Sequence, residues 1–394
     1  MTKRQRIVSL TLTAVLAALF AVAPLFYPQN LAPTEAADVL RRTPAPWQGV
    51  LTVWQVNTWR VGRGSRAALA NLAVTRYEKA QIGVWAEVIG LTPEEFTKRW
   101  AAGERPDVVS FPDGWTGLTG VELLDLTASS TGLQEPYATA FAAEPRALPW
   151  MAGGTVVLIG NDVGRAVGVE PPVADASWTA QALVDYAASA SAPRRKKRPT
   201  ALTGAAGCWD ALALAGVRVS GLAGGVKAQS IDQARQQWAG GSTAVLLGTQ
   251  WEGALLERLA AKNKAPDYTL LPLPNDVPAV LNVQYVAALS SGDEERDEVA
   301  AALARAFLSL TVQKAVANSA CLPVVALPEE AQPKGELETL LRAQAANAWM
   351  PAALTARDDA LVAAALDGDG QAVAALRGRY RRAQTPWMAS GQAP

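Results

Sequence analysis

The chain has 394 residues, half of them hydrophobic, and its 36 lysines and arginines equal its 36 aspartates and glutamates. That length suits two lobes of ordinary size with substantial cores, and a net charge of zero argues against nucleic acid or a charged polymer as the main partner. Histidine is absent, so Ser-His-Asp triads, Cys-His pairs and histidine-ligated zinc or iron are excluded within the chain. The only cysteines, Cys208 and Cys321, lack metal-site spacing. A disulfide between them is allowed in an oxidising compartment, but spacing alone does not place them in contact. No cofactor and no metal site are expected.

Lys3, Arg4 and Arg6 precede an apolar run over residues 7–26, which reads as a secretory signal or a signal anchor. Pro24 follows the small-x-small run Ala21-Val22-Ala23 and disfavours cutting there. Residues 1–26 are therefore read as an uncleaved anchor with its basic end cytoplasmic and the rest of the chain outside. Residues 27–46 read as a proline-containing linker.

A strand is expected at 50–54, followed by a loop with Asn57 and Trp59 and by a helix with Leu69, Leu72, Ala73 and Tyr77 on one face. A second strand at 83–89 leads to Thr92-Pro93-Glu94-Glu95, which combines a capping box with proline at the first helical position. That helix ends near Gly103, and 106–111 is a third strand. Such alternation is the α/β pattern with a parallel sheet.

The run 146–172 is the most informative. Leu148-Pro149-Trp150 sets a ring beside a rigid proline, Gly153-Gly154 loosens the backbone, and 155–159 is a short buried strand. Asn161-Asp162 can cap a short helix that stops at Gly168. The run reads as a chain crossing from one α/β lobe to another. Further helices are expected at 178–188, from Gly207-Cys208-Trp209-Asp210 onward, at 231–238, at 290–310, at 336–348 and at 358–375. Strands fall at 243–247, 268–272 and 282–289, and Leu322-Pro323-Val324 is a break. The run Arg194-Arg195-Lys196-Lys197-Arg198 reads as a solvated loop in preference to an anion contact.

Thirteen tryptophans against six phenylalanines leave two readings for each ring, core filler or half-exposed platform for a sugar face. In an open parallel sheet, ligands bind beyond the carboxyl ends of the strands. The loops there pair Asn57 with Trp59, Asp113 with Trp115, and Trp251 with Glu252. Rings cover the apolar face of a polyhydroxylated ligand while amides and carboxylates take its hydroxyls.

Leu51-Thr52-Val53-Trp54, Pro106-Asp107-Val108, Leu148-Pro149-Trp150 with Leu158-Ile159-Gly160-Asn161-Asp162, Ser177-Trp178-Thr179, Gly241-Ser242-Thr243-Ala244-Val245 and Leu322-Pro323-Val324 occur in an order and spacing that resemble the extracellular solute-binding proteins of bacterial ABC importers. The resemblance is to the maltose/oligosaccharide-binding group, family 1. It implies the α/β two-lobed periplasmic-binding-protein fold of class II, with lobe I from 47–153 and 280–324 and lobe II from 154–279 and 325–394. Hinge crossings would join the lobes around a ligand cleft that closes on binding. Ligand contacts are implied for Asn57, Trp59, Asp113, Trp115, Trp150 at the hinge, Trp209, Asp210, Trp251, Glu252, Gln284 and Tyr285 on the returning crossing, and Trp349 before the last helices.

The expected function follows from that resemblance. A monomer tethered to the membrane by its N-terminal segment, or secreted if that segment is cut, would capture a neutral mono- or oligosaccharide outside the cytoplasm. It would hand the sugar to the permease subunits of an ABC transporter, with no nucleic-acid partner and no enzymatic role. Two alternatives compete. Gly160 stands where the family usually has a tyrosine or similar polar residue, no lipobox cysteine is present, and Arg60, Arg63 and Arg66 crowd the first loop. Those features fit a membrane-anchored sensor or structural relative that no longer binds sugar. The other alternative is a glycosidase using Asp113 and Glu252 as its carboxylate pair.

Overall fold

The computed structural model describes residues 44–126, 146–191, 200–204, 206–220, 222, 230–345, 348–351 and 356–382. The expected anchor at 1–26, most of the linker and the basic run at 194–198 lie outside the described residues.

β1 (Pro44–Val56) begins inside the expected linker and runs parallel to β2 (Ile82–Leu91), pairing Gly49↔Val84 through Val56↔Leu91. Between them, α1 (Arg66–Ala80) is capped by the Ser65 hydroxyl and turns Leu69, Ala70, Ala73, Val74 and Tyr77 inward. α2 (Pro93–Ala101) carries the expected capping box from Thr92 and Glu95. Phe96 on its inner face packs edge-on to Trp54 at 5.3 Å and Trp115 at 4.5 Å, arrangements in which the positive ring edge meets a π face.

β3 (Val108–Pro112), β4 (Leu148–Gly153) and β5 (Thr155–Gly160) are buried at every position, as their unbroken apolar runs require of strands covered on both faces. α3 (Asn161–Arg165) follows, then α4 (Ala180–Ala190), capped by Thr179. Contrary to expectation, Asn161 does not cap α3; the cap position is Gly160, without a side-chain bond. The Asn161 amide instead donates to Asp267 at 2.7 Å and its oxygen accepts from Thr269 at 2.9 Å, tying the helix start to the neighbouring strand.

Next come β6 (Thr200–Gly204), α5 (Asp210–Ala215), α6 (Ile231–Ala239), β7 (Thr243–Thr249), α7 (Gln250–Ala260) and β8 (Tyr268–Leu271). α5 ends at Gly216 with φ of 74°, a left-handed conformation that side chains resist. β9 (Asn282–Ala288) precedes α8 (Glu294–Ala306) and α9 (Leu310–Asn318). The single helix expected at 290–310 is thus broken, because Leu308 and Ser309 bond back only three residues, to Arg305 and Ala306. β10 (Leu322–Pro323), α10 (Glu336–Ala345), β11 (Trp349–Pro351), α11 (Asp359–Leu366), α12 (Gly370–Gly378) and β12 (Tyr380–Arg382) complete the order.

The strands form a six-stranded sheet, β10-β4-β9-β3-β1-β2, a four-stranded sheet, β6-β7-β5-β8, and the hairpin β11-β12. The parallel pairing expected for the first three strands is present, β1 with β2 and β1 with β3, but both larger sheets are mixed: β9 runs antiparallel to β3 and β4, and β5 antiparallel to β7 and β8. The physical reason is that β9 enters the first sheet from the second one, in the direction opposite to β1 and β3. The chain passes between the two sheets at Gly154, again over 272–281, and a third time beyond Pro323. Cys208 and Cys321 are separate buried thiols, one after β6 and the other beside β10, so the disulfide allowed by composition is not formed.

Candidate functional site

A cavity of about 490 Å³ opens where the loops of the two sheets and the C-terminal helices meet. That is the size range of pockets that enclose small organic ligands. Five of the residues expected from sequence line it: Trp59, Asp113, Asp210, Trp251 and Glu252.

Asp113 follows β3. Its backbone N–H donates to the Val283 carbonyl at 2.8 Å, and its Oδ1 accepts from the Val283 N–H at 2.9 Å. This two-way clasp to β9 fixes the carboxylate at the cavity floor, half-buried with a face left open. Burial pushes its pKa up to about 7, with Asp210 adding to the rise and the Val283 N–H opposing it.

Glu252 lies in the first turn of α7 and is 1% exposed. Its Oε2 closes a capping box by accepting from the Thr249 N–H at 2.9 Å and hydroxyl at 2.6 Å. Its Oε1 is buried beside the cavity with no partner among the described residues. Burial raises its pKa, against the opposing hydrogen bonds from Thr249.

Asp210, at the start of α5, is buried and accepts from the Arg357 Nε at 3.0 Å and the Tyr380 hydroxyl at 2.6 Å. Burial raises the Tyr380 pKa and the neighbouring Asp210 charge raises it further. Phenol and guanidinium therefore both act as donors to one carboxylate.

Trp59 and Trp251 form the aromatic walls. The Arg66 guanidinium lies 4.5 Å from the centre of the Trp59 ring, and Trp59 Nε1 is buried without a partner among the described residues. Arg60 and Arg235 lie 4.7 and 4.6 Å from the centre of the Trp251 ring, distances at which a cation is attracted by the ring face.

Seven expected residues are not brought to the cavity. Trp150 is fully buried; its Nε1 donates to Ser110 Oγ at 2.9 Å and its ring meets Phe307 edge-on at 5.0 Å. It is a core residue of the six-stranded sheet, because β4 lies between β10 and β9 and is buried at every position. Trp115 turns back onto Phe96 and Phe111. Trp209 is buried and donates to the Gly204 carbonyl at 3.3 Å. Gln284 is buried and accepts from Arg66 at 2.8 Å while donating to Ser110 at 3.0 Å, and Tyr285 packs on Phe111 at 5.9 Å. Asn57 is exposed beside the strand ends, and half-buried Trp349 pairs its backbone with Ala279 and Leu281.

Sequence reasoning missed much of the opposite wall. Arg357, Asp358, Arg379 and Tyr380 line the cavity, yet none follows a strand of either main sheet. Asp232 was overlooked too; its only sequence signal is its place in the first turn of α6, behind the Ser230 cap.

No protein-family model matches the chain, and no curated protein does. Solved structures do. The GacH receptor of Streptomyces glaucescens, solved unliganded and with acarbose, shares 17% identity at a TM-score of 0.59, over 84% of this chain and 97% of that one. The cyclic alpha-maltosyl-1,6-maltose binding protein of Arthrobacter globiformis shares 14% identity at 0.57, over 84% and 97%. The ABC substrate-binding protein Lmo0181 of Listeria monocytogenes, in complex with cycloalternan, shares 15% at 0.55, over 84% and 97%. At these identities the likeness establishes the fold: the chain has the two-lobed α/β architecture of maltose- and oligosaccharide-type solute-binding proteins.

Proposed function

We propose that the protein captures a carbohydrate in the cavity between its two sheets and serves an ABC importer as its extracytoplasmic solute-binding component. In this reading lobe I comprises 47–153 and 280–324, lobe II comprises 154–279 and 325–394, and the two close over the ligand by movement at the crossings. The observation that carries the reading is the cavity itself, about 490 Å³ in volume, with two tryptophan walls and convergent carboxylates. Rings of this kind suit the C–H face of a sugar, and carboxylates suit its hydroxyls. Trp59, Trp251, Asp113, Asp210 and Glu252 are the proposed contacts. Permease delivery, export and membrane tethering by residues 1–26 belong to the proposal as well.

Thermal-shift titration of the full chain against mono- and oligosaccharides tests it. A sugar at a hundred times its dissociation constant adds about 2.7 kcal/mol of stability, and that shift should be lost in Trp251→Ala. If no sugar moves the midpoint, the carbohydrate reading is wrong.

One observation favours a second reading, a membrane-anchored relative that does not capture sugar: the Arg60 guanidinium already covers Trp251. A permease that copurifies with the protein from membranes supports the first reading, and a copurifying sensor kinase supports the second.

A further inference from the structure

Each arginine that lines the cavity is matched by an acid. Arg60 pairs with Asp232 at 3.1 Å, Arg357 with Asp210, and Arg379 with Asp358 at 3.1 Å. The lining also holds two further carboxylates, Asp113 and Glu252. Among the described residues neither has an arginine or lysine within salt-bridge reach. The cations that act on them from farther off are Arg357 on Asp113 and Arg235 on Glu252, and each is already paired, with Asp210 and with Asp232.

A carboxylate drawn partly or wholly out of water without a contacting counter-charge loses hydration that backbone donors restore only in part. Asp113 has the Val283 N–H and its own backbone N–H as such donors, and it lines the cavity. Glu252 has an Oε1 that is buried and has no partner among the described residues. A neutral hydroxyl would give these oxygens a hydrogen bond but no charge. An ammonium supplies both, and charge-assisted hydrogen bonds are about twice as strong as neutral ones.

We propose that the ligand of this cavity carries a protonated amine, as in an amino-sugar oligosaccharide, and that Asp113 and Glu252 receive it. The inference rests on the carbohydrate reading above and narrows it from neutral sugars to cationic ones. Asp113 is the stronger contributor, because it is open to the cavity while Glu252 divides its carboxylate with the α7 cap.

Trimers of glucosamine and of galactosamine, each as the free amine and as the fully N-acetylated form, provide the test by isothermal titration at pH 7.5, with spermidine as the amine without a sugar. The free-amine trimer should bind at least ten-fold more tightly than its N-acetylated partner. Asp113→Asn should abolish most of that preference, and Glu252→Gln should reduce it by less. Circular dichroism of both variants guards against misfolding, and the ratio within each variant is independent of its active fraction. Equal or tighter binding of the N-acetylated trimers overturns the inference and leaves the carbohydrate reading intact. So does a preference that survives both substitutions. Tight binding of spermidine with no trimer binding overturns both, whereas the absence of any binding overturns the inference and leaves the carbohydrate reading to its own titration.

Discussion

The Arg60 guanidinium lies 4.7 Å from the centre of the Trp251 ring and donates to both oxygens of Asp232, at 3.2 and 3.1 Å. Arg60 belongs to the loop after β1, in the six-stranded body, whereas Trp251 and Asp232 belong to helices of the four-stranded body. The same loop makes two more crossings. Arg63 bonds Glu257 and Glu338, and the Arg60 carbonyl accepts from Gln250 Nε2 at 2.8 Å. One arginine-bearing loop thus fastens the two bodies across the cavity, and it covers a proposed stacking face in doing so.

Arg60→Ala should therefore act on binding more than on stability. Arg60 and Asp232 are 52% and 42% exposed, and exposed pairs contribute only about 0.2–1 kcal/mol. The unfolding free energy should fall by no more than that. Freeing the ring of a cation–π contact of about 0.5–1 kcal/mol should tighten binding of an oligosaccharide that stacks there roughly two- to five-fold. Calorimetric titration of the variant and the parent checks this. A weaker affinity in the variant would mean that Arg60 is itself a ligand contact.

Arg63→Ala should cost more. Burial pulls the Arg63 pKa down, and its hydrogen bonds to Glu338 and Glu257 more than reverse that, leaving it raised. Glu338 is 5% exposed and its Oε2 already lacks a partner among the described residues. Removing the guanidinium strands a buried carboxylate, at a cost of about 1–3 kcal/mol, which urea denaturation would register. Because the contact joins the two bodies, the variant should also show a larger radius of gyration by small-angle X-ray scattering. Concentrated salt should reproduce part of that expansion in the parent.

Tyr380→Phe and Asp210→Ala should differ in size. The first removes one donor from a carboxylate that keeps Arg357, a loss of about 1.5–3 kcal/mol for a hydrogen bond to a charged group. The second leaves Arg357 and the Tyr380 hydroxyl facing no acceptor at that point, and breaking a buried pair costs about 3–5 kcal/mol. Equal denaturation midpoints for the two variants would mean that the Asp210 cluster is not acting as a unit.

How far the sequence could be read follows from the same residues. Strand–helix alternation, the Thr92 capping box and the crossing at Gly154 depend on local propensity, and local propensity is written in neighbouring residues. Trp150 shows where that ends. A tryptophan beside a proline at a crossing looks like a platform, but a strand has two faces, and sequence does not say whether both are covered. Trp115, in the loop after β3, and Trp209, at the cap of α5, turn inward for a different reason: a loop or cap position does not say which way its ring points. Tyr380 and Arg357 were missed for the opposite reason. They reach the cavity only because the last helices fold back over Asp210, through contacts more than a hundred residues apart in the chain.

Asp113 supplies a pH dependence whose sign can be worked out. Its pKa is raised from 3.8 in the unfolded reference to about 7 in the fold, chiefly by burial. Between those values the folded protein holds a proton that the unfolded chain has released, so stability falls as pH rises through that window. Below pH 3.8 both states are protonated and the term is absent; above about 7 the full cost of the buried charge is present. The groups that bear on it are Asp210, which raises its pKa, and the Val283 N–H, its own backbone N–H and Arg357, which lower it. Asp113→Asn keeps an oxygen to accept from Val283 and removes the titration. The variant should be the more stable protein at pH 8, by a few kcal/mol at order of magnitude, and its advantage should shrink steadily toward pH 4. Melting temperatures of parent and variant compared across pH 4–8 isolate this term, because other carboxylates contribute to both. A difference that stays constant with pH would mean that Asp113 is ionised throughout, and that its open face toward the cavity is hydrated well enough to carry the charge.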